Sequence, residues 1–203
     1  MFMQVIKNIW NRNEISKFAK IGNETKVWSY SKIRENVIIG DNVTVGMYVY
    51  IGPGVKIGNS VKIQNNSLIY EPAIIEDSVF IGPNVVLTND KNPRAVNVDG
   101  TKKNESDWKK AGALIKQGAS IGASAVIVAP ITVGSWSMIS AGAVVVKDVP
   151  DYALVAGVPA QKIGWVGKAG FKLEPKGQNG YICPITSDTY TEVNPLQLVK
   201  DLN

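Results

Sequence analysis

The residue types of this chain that could do chemistry are few, and one common type is missing: its 203 residues include no histidine. A histidine general base is therefore excluded. Cys183 is the sole cysteine, so neither an intramolecular disulfide nor a His/Cys metal cluster can be assembled. The polar residues that remain of interest lie in one stretch: Asn65, Asn66, Tyr70, Glu71, Glu76, Asn89 and Arg94. Glu71 and Glu76 are the residues of that stretch able to serve as a base. Arg94 can present its planar fork to a carboxylate or a pyrophosphate.

The elements that must carry these residues announce themselves by a period of six. An aliphatic residue occupies Ile15, Ile21, Val27, Ile33, Ile39, Val45, Ile51, Ile57, Ile63, Ile69, Ile75, Ile81 and Leu87 without a miss. The series resumes in a new phase at Ile115, Ile121, Ile127, Val133, Ile139 and Val145. A helix repeats near 3.6 residues and a strand at 2, so a strict six means a coil in which each turn stacks on the last. The position after the aliphatic is often glycine, as at Gly22, Gly40, Gly46, Gly58, Gly82 and Gly122. The fifth position is small or β-branched, as at Val37, Val43, Val55, Ser67, Ala73 and Ala119. Glycine and Asn/Asp supply corners, and the β-branched excess suits short strands.

The repeat breaks once. Ile115 follows Leu87 by 28 positions, not a multiple of six, and the segment from Thr88 to Gly112 is polar and charged. A long unpatterned loop inside a compact repeat is usually functional. Asn89 and Arg94 stand just past the break.

These six-residue repeats, over roughly residues 15 to 160, resemble the hexapeptide-repeat acyltransferases. The resemblance implies an all-β fold: a left-handed parallel β-helix, a triangular prism of about six to seven coils. It gives a β-helix domain over 1–165 with a loop insertion at 88–113, and a short C-terminal extension over 166–203. In the extension, YICPI and TYTEV around a turn at Thr186-Ser187-Asp188 read as a hairpin. In that family such a loop reaches a neighbouring subunit, which implies a homotrimer with sites at subunit interfaces. The closing sequence VPDYALVAGVPAQKIGW, residues 149 to 165, is similar to that of the members using coenzyme A. It implies acetyl-CoA as donor, with Val158, Pro159 and Lys162 beside it and Lys147 offering a second charge to the phosphates. Backbone amides around Ser140 and Ala141 are expected to hold the pantetheine arm.

A narrower likeness covers residues 61 to 94. Gln64-Asn65-Asn66, Tyr70-Glu71, Glu76-Asp77, Thr88-Asn89 and Asn92-Pro93-Arg94 stand in the same order as in the N-acetyltransferases of UDP-2-acetamido-3-amino-2,3-dideoxyglucuronate, a precursor of bacterial surface polysaccharide such as lipopolysaccharide. This implies Asn65, Tyr70, Glu71, Asn89 and Arg94 as substrate-binding residues. Asn65 and Asn66 also suit plain corner positions.

The absent histidine bears on the acceptor. A sugar hydroxyl is a poor nucleophile unless a base removes its proton, whereas an amine needs only to arrive unprotonated. An amino group flanked by hydroxyl and acylamino substituents should titrate like an α-amino group, near pKa 8, so its neutral form costs about 1.4 kcal/mol at pH 7, against about 4.6 kcal/mol for a lysine-like amine. The expectation is therefore N-acetylation by direct attack of the free amine on the thioester, with Asn89 orienting the amine and backbone N–H groups holding the oxyanion.

The remaining expectations are exclusions. The net charge of +5 comes with no clustered basic stripe, so nucleic acid is not an expected partner. No metal is expected. The opening MFMQVIKNIWNRNE lacks the apolar core of a signal peptide, no apolar run reaches membrane-spanning length, and the lone thiol fits a reducing compartment, so a cytoplasmic location is expected. Two other readings stay open: an N-acetyltransferase of a dTDP-3-amino-3,6-dideoxyhexose, and a non-catalytic β-helix scaffold.

Overall fold

In a computed structural model the chain is a left-handed parallel β-helix of hexapeptide repeats. The structure describes residues 12–201; the opening stretch as far as Asn11 lies outside them. No helix occurs among the described residues, so none crosses a membrane.

Three flat faces follow from the period. Each aliphatic residue ends a two- or three-residue strand, and three strands complete one coil of 18 residues. Face A stacks Glu14–Ile15, Lys32–Ile33, Tyr50–Ile51, Leu68–Ile69, Val86–Leu87, Val126–Ile127 and Val144–Val145. Face B stacks Lys20–Ile21, Ile38–Ile39, Lys56–Ile57, Ile74–Ile75, Ala113–Ile115 and Ile131–Val133. Face C stacks Lys26–Val27, Thr44–Val45, Lys62–Ile63, Phe80–Ile81, Ser120–Ile121, Met138–Ile139 and Ala153–Gly157, and Ala160–Trp165 then returns antiparallel along its edge. In each pair of neighbouring coils the aliphatic sits over its equivalent, as in Ile33↔Ile51 and Ile63↔Ile81. The interior is therefore a column of Ile, Val and Leu, with Ile51, Ile63, Ile69 and Ile81 fully buried. Burying each such side chain contributes about 1.5–3 kcal/mol.

The corners explain the glycines and the Asx residues together. Asn65 Oδ1 accepts a hydrogen bond from Met47 N at 2.9 Å, one coil below. A Cβ on Gly46 would lie 2.6 Å from that same Oδ1. Glycine is present because the side-chain oxygen of the next coil occupies the space. Asn59 does the same for Asp41 N at 2.9 Å, and Asp151 for Ser135 N at 2.8 Å.

Beyond the prism, Gly180–Ile182 pairs antiparallel with Thr189–Asn194, the two strands expected as a hairpin. Glu174–Lys176 and Gln197–Lys200 flank them, so the extension is a four-stranded antiparallel sheet. Trp165 and Tyr190 are buried where it meets the prism. Trp165 Nε1 donates to Glu192 at 2.9 Å, and the Tyr152 and Tyr190 rings meet edge to face at 5.5 Å.

Candidate active site

The break in the register lies at the corner between faces A and B. Leu87 is the last core residue before it; Thr88 N still bonds Ile127 O at 3.0 Å, and Thr88 Oγ1 accepts from Ala129 N at 3.1 Å. The loop then leaves and returns at one point, because Asn89 O accepts from Ala111 N at 2.9 Å. A Cβ on Gly112 would fall 2.6 Å from Pro72 O, so the returning chain needs glycine to lie against the coil below.

Glu71 completes this neck. Its carboxylate, 16% exposed, meets Lys110 Nζ at 3.0 Å. The bond to Glu71 holds the Lys110 ammonium above the usual lysine range against the opposing effect of desolvation. Tyr70 stands beside it, its ring 5.3 Å from Tyr50, whose hydroxyl lies 3.5 Å from Arg34 Nη1. Glu76 is elsewhere, at the corner between faces B and C, where it accepts from Gln117 N at 2.9 Å. Both glutamates considered as bases are thus engaged, one by an ammonium and one by a backbone amide. Arg94 projects into solvent from the loop, with one donated bond to the adjacent Pro93 O at 2.9 Å.

Of the residues expected around the coenzyme, Ser140, Ala141, Val158 and Pro159 sit on the other edge of face A, at its corner with face C, whereas Lys147 and Lys162 do not. Of the amides there, Ser140 N is taken by Val155 O and Gly142 N by Ala123 O, while the exposed Ala141 N has no acceptor among the described residues. Val158, 73% exposed, and Pro159 form the tip of the turn joining Ala153–Gly157 to Ala160–Trp165, directly above this corner. An exposed amide below an apolar turn suits an amide-bearing, flexible arm. Lys147 is exposed at the top of the loop-bearing edge. Lys162 turns to the extension: its Nζ lies 3.7 Å from the Trp165 ring centroid and donates to Pro195 O at 2.6 Å. Asn65 lies low on the face C–face A corner, in the Asx ladder.

The structure therefore brings Tyr70, Glu71 and Asn89 together on one edge of face A, and Ser140, Ala141, Val158 and Pro159 on the other. One prism holds the two halves apart. Between them the outward residues of face A form an apolar stripe in register, Tyr50, Leu68, Val86, Val126 and Val144, whereas face C shows Lys26, Thr44 and Lys62 at its lower end. Lys110 is the residue of the loop neck that sequence reasoning missed. Its partner stands 39 positions away and no spacing rule links them; only the gathering of charge at the loop's end could have pointed to it.

Residues 18–53 and 54–89 match the family described as bacterial transferase hexapeptide (six repeats), and residues 36–71 and 115–147 match the hexapeptide repeat of succinyl-transferase. A stretch of 61 residues is 49% identical to the dTDP-3-amino-3,6-dideoxy-alpha-D-galactopyranose 3-N-acetyltransferase of Aneurinibacillus thermoaerophilus, covering 30% of this chain and 32% of that one. Serine acetyltransferase 4 of Arabidopsis thaliana is 36% identical over 93 residues, 46% of this chain and 24% of that one. The chain spans about a third or less of the length of these curated relatives. A hexapeptide transferase family protein from Anaplasma phagocytophilum superposes with a TM-score of 0.53 over 78% of this chain and 81% of that chain at 17% identity, a likeness of fold.

Proposed function

Because the repeats of this prism belong to the transferase hexapeptide repeats, we propose that the protein is an acetyl-CoA-dependent N-acetyltransferase of a nucleotide-linked amino sugar. The observation that carries this reading is the 49% identity over 61 residues to a sugar-nucleotide 3-N-acetyltransferase. The chemistry of the site agrees with it. With no histidine and with Glu71 and Glu76 both engaged, an acceptor that needs no base is favoured. The free amine attacks the thioester carbon; the C–N bond forms, the C–S bond breaks, and the surplus amine proton passes to the departing thiolate. Asn89 orients the amine, Arg94 meets a carboxylate or pyrophosphate, and the Ala141 amide with the Val158-Pro159 turn receives the pantetheine arm.

The motifs at 61–94 favour UDP-2-acetamido-3-amino-2,3-dideoxyglucuronate as substrate, while the 61-residue match favours a dTDP-3-amino-3,6-dideoxyhexose. Either product would feed surface polysaccharide synthesis in the cytoplasm. The working form is a homotrimer, since packing on the apolar stripe of face A sets the loop-bearing edge of one copy beside the coenzyme-bearing edge of the next. A thiol-release assay with acetyl-CoA and a panel of UDP- and dTDP-amino sugars tests the reading. Turnover of one 3-amino sugar is expected; release with none, together with no thermal shift from acetyl-CoA, leaves a scaffold.

A further inference from the structure

Trp28 is 57% exposed low on the prism, on coils that also expose Phe18, Tyr30 and Tyr48. It follows the face C strand Lys26–Val27, and the register Lys26↔Thr44↔Lys62 sets Trp28, Gly46 and Gln64 at equivalent positions on three successive coils. Backbone bonds continue that ladder through these residues: Trp28 N to Val45 O, Gly46 N to Ile63 O and Gln64 N to Ile81 O. Coils are about 4.8 Å apart, so Trp28 and Gln64 are separated by about 9.6 Å with a glycine between. Gly46 adds no side chain to the slot between them, and Asn65 of the coil above shares its floor, with Oδ1 2.6 Å from where a Gly46 Cβ would fall. The cavity over it, about 330 Å³, is lined by Trp28, Thr44, Gly46, Gln64 and Asn65 among others.

We propose that this slot is the subsite for the pyrimidine base of the sugar nucleotide; the proposal rests on the function given above. An indole face stacks on a flat heteroaromatic ring. The Gln64 carboxamide offers one donor and one acceptor side by side, the complement of the imide edge that uracil and thymine share. Lys26 and Lys62 are exposed on the adjoining strands and can meet the diphosphate. The slot lies two to three coils, about 12 Å, below the level at which the register breaks after Leu87. A ribose and two phosphates bridge that distance along the axis, which sets the sugar at the height of Asn89; that residue stands on the far edge of face A in the same chain, so the Asn89 that meets the sugar is that of the neighbouring copy in the proposed trimer. The substrate then enters from the lower end of the prism and the coenzyme from the upper end, where Ala141 stands.

Isothermal titration of the full chain with UDP and with dTDP, for the unaltered protein and for Trp28→Ala and Gln64→Ala, tests the assignment, with melting followed by circular dichroism. Both side chains leave the core untouched, so unchanged melting is expected, with binding of at least one nucleotide weakened tenfold or more in each variant and acetyl-CoA binding preserved. Nucleotide affinities equal to those of the unaltered protein overturn the subsite. So does Trp28-dependent binding of an amino sugar 1-phosphate without Trp28-dependent binding of UDP or dTDP, which would mean a pyranose fills the slot. If no nucleotide amino sugar supports thiol release yet UDP or dTDP binding depends on Trp28, the proposed reaction fails and the base subsite stands. If thiol release proceeds with an unchanged KM for the sugar nucleotide in Trp28→Ala, the subsite fails and the reaction stands.

Discussion

Asn89 and Glu71 occupy the same neck but hold it by different groups, and this separates their roles. Asn89 closes the loop with its backbone carbonyl, so its carboxamide can be removed without opening the neck. Asn89→Ala is expected to lower kcat/KM for the amino sugar by about 10²-fold, a loss of about 2.7 kcal/mol of transition-state stabilisation, with unchanged melting; near-normal turnover would reduce Asn89 to a neck residue. Glu71 holds the neck with its side chain, paired with Lys110. Were it a base, Glu71→Gln would abolish turnover while Lys110→Met would not. An anchoring role predicts instead that both variants lose activity to within about threefold of each other, and neither loses more than about 1 kcal/mol of stability, because the pair is partly solvated. The sign of the Lys110 shift fixes the pH range of the anchor. Its folded pKa is raised, so the pair is intact below the ordinary lysine value of about 10.4 and is lost only as pH rises through the raised one. The rise of kcat/KM as the substrate amine deprotonates near pH 8 is therefore expected to continue without an alkaline fall from loop release, which a pH–rate profile reads directly.

At the scale of elements, the prism and its extension are held by different physics. In the prism, Ile63 is fully buried in mid-stack while Ile15 occupies the same repeat position on the first coil and is 43% exposed. Ile63→Ala is expected to cost about 2–5 kcal/mol and Ile15→Ala about 1 kcal/mol or less, a contrast that denaturant titration resolves. The extension depends on Glu192, which accepts from Trp165 Nε1 at 2.9 Å and from the Tyr181 hydroxyl at 2.8 Å. The Trp165 bond, with that from Tyr181, holds the Glu192 carboxyl below its usual range. A depressed pKa stabilises the fold above the unfolded value of about 4.3 and ceases to do so as pH falls through the folded value. Trp165 emission should change in that acid range, and Glu192→Gln should remove the transition. These elements differ in how far they can be read from sequence for the same reason. The aliphatic column was legible because stacking places position i over i+18, so one rule repeated many times leaves a strict pattern from Ile15 to Leu87. The Asx corners were legible as residue types, although their hydrogen bonds to the coil below appear only in three dimensions. Lys110 and Glu71, or Lys162 and Trp165, meet once each, and a contact made once leaves no period. The extension beyond its central hairpin was hidden likewise, since Glu174–Lys176 contains a proline and reads as loop until its neighbour pairs with it.

For the molecule as a whole, the unfinished business is the separation of the two half-sites across face A. The outward stripe Tyr50, Leu68, Val86, Val126 and Val144 is continuous over five coils, and its members are only partly buried within one chain. Face B alternates instead, with Lys20, Ile38, Lys56 and Ile74 outward on its lower coils. A stripe of this kind buried between copies would exclude water and bring Asn89 of one chain toward the corner that carries Ala141 in another. Charge placed on it should then break assembly and catalysis together. The double variant Val86→Arg, Val126→Arg is expected to elute as a monomer in size-exclusion chromatography with light scattering, to keep the secondary structure of the prism, and to lose turnover by at least 10²-fold, since each half-site is left facing solvent. Lys56→Glu on face B is the control and should remain trimeric and active. A double variant that is monomeric yet fully active would mean that one chain completes the site alone. A double variant that remains trimeric would mean that the copies meet through another face.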